Sequence, residues 1–102
     1  MEAELAPILM GEAGMCPFVA LLAVAWLYSR NPIMYGYATP NATATWIAEH
    51  WQRLNDPVPG SLAMFSVQDL ELPRVKQLIA RMQLKPLQKY DCGGGLGLVF
   101  YG

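Results

Sequence analysis

Glu12 is the residue with the clearest chemical claim. It stands in "MGEAGMCPF", residues 10–18, between Gly11 and Gly14 and just ahead of the most apolar run of the chain. A carboxyl held against a hydrophobic wall resists ionisation, because burial disfavours the charged form. Beside Phe18, Trp26 or another aromatic, such a carboxyl keeps its proton near neutral pH and can hand it to a glycosidic oxygen. In the alternative, Glu12 is a solvated acid at a helix end, the commoner state of a glutamate. Cys16 follows at the start of an apolar helix, where the helix dipole favours a thiolate, while its apolar flank describes an inert buried thiol. Cys92 is the second cysteine; one pair is possible, and sequence does not give the distance between them. Two cysteines and the single His50 are too few for a four-ligand zinc site, so no metal and no cofactor is expected.

Elements must bring these residues together. "AELAPILMGEA", 3–13, spaces Leu5, Ile8 and Leu9 as a helix does, with Pro7 in its first turns, which sets Glu12 at or just past the terminus. Pro17 suits the first helical position of the next segment, which is apolar on almost every side from Phe18 to Tyr28 and therefore central. "NPIMYGYATPN", 31–41, reads as a loop. "NATATWIAEHWQRL" begins with an Asn or Thr cap and places Trp46, Ile47, His50, Trp51 and Leu54 close to one face of a third helix. A strand is predicted at "SLAMFSV", 61–67, and a helix from near Pro73, with Val75, Leu78, Ile79 and Met82 inward and Asp69 as an early cap. After "CGGG" a short β-prone run, 98–101, can pair with 61–67. The fold class is α+β, one mainly helical domain over residues 1–102 with a small antiparallel sheet.

Composition narrows the partners. The chain has 102 residues, 54% hydrophobic, with a formal charge of −1. The basic residues are scattered, and nucleic-acid affinity depends on clustered cations, so nucleic acid is not an expected partner. The run 15–28 holds about 14 residues, short of the roughly 18 to 20 that span a bilayer. Glu2, Glu4 and Glu12 precede it with no Lys or Arg, the wrong sign for a signal peptide. No membrane span and no export signal is expected, and the oligomeric state is left open.

The spacing of Gly11, Glu12, Ala13, then Pro17 and Phe18, then Ala23, Val24 and Ala25, resembles the SleB-type cell wall hydrolases, the spore-cortex-lytic enzymes and their relatives. Downstream, Asp56, Pro57, Gly60, Leu62 and Phe65 resemble that family's strand block, and Gly97 and Phe100 its closing strand. The family's strand Asn falls at Ser66, its final-strand His at Leu98 or Val99, and a second acid at Cys16. The resemblance implies a lysozyme-like α+β fold and cleavage of the glycan strands of peptidoglycan, in the manner of a lytic transglycosylase or muramidase. Glu12 is then the single general acid and base. Ser66 and Gln68 on the strand edge and Tyr35 and Tyr37 in the loop are the expected substrate contacts. Aromatic rings suit sugars by joining a flat apolar face to a polar edge. Trp46 and Trp51 could serve the same purpose, although their helical spacing describes core residues. Asp56 and Asp69 stand as possible second acids.

Two other readings are open. An inactive relative would serve as a glycan-binding or particle-assembly module. "YDCGGGLG" also resembles the nucleophile segment of NlpC/P60 cysteine peptidases, which would pair Cys92 with His50. Three glycines make a poor helix start there and suit a tight strand entry better.

Overall fold

A helix with the sequence FVALLAVAWLYSR is apolar on almost every side, and its middle is buried in the fold while Phe18, Val19, Ser29 and Arg30 at its ends are exposed. The computed structural model describes residues 2–32 and 36–102; Tyr35 lies outside them. The central helix, α2 (Phe18–Arg30), buries Ala20 to Ala25 and Leu27. Pro17 occupies its N-cap and not its first helical position. On one side lie α1 (Glu2–Ala13) and α3 (Ala42–His50), which also pack on each other. Alanines at 6, 13, 20, 23, 25, 44 and 48 are buried among these helices and let their backbones approach closely. Pro7 sits inside α1, and its carbonyl accepts a hydrogen bond from Ala38 N at 3.1 Å, which ties the 36–40 segment to α1. Asn41 is the cap of α3, its side chain accepting from Ala44 N at 2.8 Å.

A sheet of β1 (Ala63–Ser66), β2 (Pro86–Gly93) and β3 (Leu96–Tyr101), in the order β1-β3-β2 and antiparallel throughout, completes the core. β3, in the middle, contributes Leu98 and Phe100 to the core shared with α1, α2 and α3. The expected pairing of 98–101 with the 61–67 segment is present, from Ala63 opposite Tyr101 to Ser66 opposite Leu98. β2 was not expected. Its hairpin with β3 turns through Gly93, Gly94 and Gly95, all at positive φ, which is the backbone state that three glycines permit.

Among the described residues the fold is thus α+β, with four helices and one small antiparallel sheet. α4 (Pro73–Arg81) opens on Pro73 as predicted, but Asp69 does not cap it: Asp69 belongs to a separate 3-10 turn, Gln68–Glu71. Val75 is buried and Leu78 and Ile79 half-buried, whereas Met82, expected inward, is exposed. Trp46 is likewise exposed and not core, because α3 turns Ile47 and Ala48 inward and ends at His50. At the C-terminal end of α2, Arg30 forms an ion pair with Asp56 at 2.6 Å and donates from Nε to the Ser61 carbonyl at 2.9 Å and from Nη2 to Ser61 Oγ. No helix among the described residues is long and apolar enough to cross a membrane.

Candidate functional site

Glu12 lies in the last turn of α1, half-buried, where α1 gives way to the short link into α2. Its Oε1 accepts a hydrogen bond from Gly36 N at 2.6 Å. That contact exists because both strands of the crossing lack side chains. A Cβ on Gly11 would overlap the backbone nitrogen of Tyr37. One on Gly36 would lie 2.7 Å from the Gly11 carbonyl carbon and 2.9 Å from Glu12 Oε1. A hydrogen bond to a fixed backbone donor holds the carboxyl group in one orientation.

The carboxylate borders a cleft of about 270 Å3 between the α1–α2 junction and the edge of the sheet. Met10 to Cys16 form one wall; Ser66, Val67 and Gln68 at the end of β1 and Leu96 to Leu98 of β3 form the other. Cys92 closes one end, joined to Cys16 in a disulfide with the two Cα atoms 4.2 Å apart. Ligand pockets typically run from roughly 300 Å3 upward, so this cleft suits one ring of a longer ligand. Ser66 Oγ accepts from Asp69 N at 3.2 Å, and its own O–H is not consumed by that bond. Gln68 is exposed at the rim.

Of the five predicted positions, three come together: Glu12, Ser66 and Gln68 line one cleft. Tyr37 stands beside it, 76% exposed, its backbone against Gly11 but its residue outside the cleft lining. The expected substrate contact at Tyr35 falls on a residue outside those described. The aromatic wall expected behind Glu12 is not there: among the described lining residues there is no aromatic, and the apolar surface comes from methionines, leucines, Val67 and the disulfide. Phe18 turns away to pack on Trp46, with ring centroids 5.9 Å apart. Trp26 meets Trp51 edge to face at 4.9 Å.

Glu12 is the one carboxylate among the described lining residues. Asp56 is engaged by Arg30 at the far end of α2, and a 13-residue helix spans roughly 20 Å. Asp69 is exposed and outside the lining. The disulfide corrects both thiol readings. Cys16 is not an inert free thiol, and Cys92 has no thiolate to pair with His50, whose ring instead stacks on Trp46 at 4.2 Å. Near the disulfide, Tyr90 packs edge to face on Phe100 at 5.8 Å. Burial pushes its hydroxyl above the ordinary 10.0, and the negative charge of Asp56 adds to that shift.

Sequence reasoning missed the Gly36 clamp and the disulfide. The only hint of the first was a glycine between two tyrosines, and of the second that the chain holds two cysteines and no more. No family model, no curated protein and no solved structure matches this chain.

Proposed function

We propose that the chain cleaves the glycan strands of peptidoglycan, with Glu12 as general acid and then base, in the manner of the SleB-type hydrolases its sequence resembles. One observation carries the reading. Gly11-Glu12-Ala13 and Gly97, matches from two separate blocks of that resemblance, line a single cleft together with Ser66, which stands where the family carries Asn.

A lone carboxylate favours one chemical route. Glu12 protonates the glycosidic oxygen as the bond to the muramyl anomeric carbon breaks. It then takes the proton of the muramyl 6-hydroxyl as that oxygen closes on the same carbon, leaving a 1,6-anhydro end. Inverting hydrolysis would need a second carboxylate at roughly 6.5 to 9.5 Å, and among the described residues the cleft lining supplies none. The Gly36 N–H orients the acid, and the Ser66 hydroxyl and Gln68 amide can hydrogen-bond the sugar from the opposite wall.

Clearing of a peptidoglycan suspension tests this, with wild type compared against Glu12→Gln. A general acid contributes about a hundredfold to ten-thousandfold in rate, and a loss of that size is expected. Mass spectrometry of the released fragments should find 1,6-anhydro ends; reducing ends would mark hydrolysis instead. A second reading draws on the final strand, where the resembling family's His falls at Leu98 or Val99 and the cleft is lined by the apolar Leu98. Binding without lysis by wild type would favour that reading, a glycan-binding or particle-assembly module. Equal lysis by both variants would remove Glu12 from the chemistry.

A further inference from the structure

The Glu12 cleft does not stop at β3. A second hollow of about 360 Å3 lies beyond it and shares Val67, Leu96 and Gly97 with the first, so the two adjoin across the start of that strand. Gly97 forms the pass between them. A Cβ there would stand 2.9 Å from Val67 Cγ2 and 3.9 Å from Asp91 Oδ1, so glycine keeps the pass low.

The second hollow is charged where the first is mostly apolar. Lys89 and Asp91 are two apart on β2 and so present their side chains on the same face, while Tyr90 and Cys92 between and after them turn to the core. Both charged residues are exposed, and neither enters an ion pair among the described residues. An ammonium and a carboxylate left unpaired in one hollow are complementary to a ligand carrying both signs of charge.

Resting on the cleavage reading above, we propose that this second hollow holds the peptide stem of the substrate. The preferred ligand is then glycan that still bears its peptides, which carry carboxylates and amines, and not the bare polysaccharide. A sugar ring beside Glu12 would send its substituent over Gly97 toward Lys89.

Binding is the direct test. A soluble disaccharide-peptide and the same disaccharide stripped of peptide are each titrated into the Glu12→Gln protein, which cannot turn them over. The peptide form should bind about three- to fivefold more tightly, the scale of an exposed ion pair. Lys89→Glu should bring that ratio to one, and Lys89→Arg should preserve it. A ratio of one without any change at Lys89, or a ratio that Lys89→Glu leaves intact, overturns the proposal. Lysis assays on intact and peptide-stripped glycan keep the two readings apart. Glu12-dependent lysis with no peptide preference sinks the second hollow alone. Lys89-dependent binding without lysis sinks the cleavage reading alone.

Discussion

The two ends of α2 are fastened to the sheet side of the molecule by different chemistry, and only one of them borders the Glu12 cleft. At the N-terminal end the fastening is covalent, Cys16 to Cys92, and a cleft lies directly against it. At the C-terminal end Arg30 spreads its guanidinium over Asp56 and Ser61, with Ser61 fully buried. That end is held by polar contacts around the buried Ser61, with Arg30 itself still reaching solvent. A disulfide acts largely by restricting the unfolded chain and needs no packed interface beside it. A disulfide can therefore border a cavity at little cost.

Removing the disulfide is the largest perturbation this comparison offers. The bond closes a sequence separation of 76 residues, for which chain-entropy arguments give about 4 kcal/mol. Cys16→Ser with Cys92→Ser should lose about that much in denaturant unfolding, and the folded remainder should bind glycan more weakly because one wall of the cleft is untethered. Arg30→Ala should cost about 1 to 2 kcal/mol, since it leaves the buried Ser61 hydroxyl without its Arg30 donor while Asp56 keeps the Val58 N–H. Its KM, measured on the folded fraction, should not move. If both variants altered KM alike, the distinction between an end that borders the cleft and one that does not would be lost.

The legibility of the sequence follows the same division. Elements defined by periodicity were readable: α2 by its all-round apolarity, α1 and α4 by spacing, and the β1–β3 pairing by two β-prone runs. Glu12, Ser66 and Gln68 line one cleft, a proximity of remote segments that no local pattern carries. β2 was hidden behind Lys85 and Pro86, which read as a stop. Yet Lys89, Tyr90, Asp91 and Cys92 alternate outward and inward as a half-buried strand does. The disulfide, the Gly11–Gly36 crossing and the exposure of Trp46 depend on distances between remote segments. No spacing along the chain encodes these.

The Gly11–Gly36 crossing gives a smaller and more local test. Gly36→Ala introduces a Cβ within 2.9 Å of Glu12 Oε1, between two backbones that have little room to part. Overpacking of this kind costs about 1 to 3 kcal/mol. Because the displaced group is the carboxylate itself, kcat should fall by a larger factor than stability alone explains. A Gly36→Ala protein that melts lower yet lyses at the wild-type rate would mean that the Gly36 N–H does not orient the acid.

Tyr90 provides the finest probe, because it sits two residues from the disulfide and yet feels the charge of Asp56 at the other end of α2. Its folded state favours the neutral phenol, with the hydroxyl raised above 10.0 first by burial and then by Asp56. A group raised on folding contributes stability that is fully present below its unfolded value and is lost as pH climbs through the folded one. Wild type should therefore lose stability above pH 10 more steeply than Tyr90→Phe, while the two curves run parallel below it. Denaturant midpoints on either side of that pH measure the difference. Arg30→Ala unmasks the Asp56 carboxylate, so it should push the Tyr90 transition to still higher pH, and Asp56→Asn should draw it back. A Tyr90 transition indifferent to both changes would show that the two ends of α2 are electrostatically separate, leaving burial against Phe100 as the sole cause of the shift.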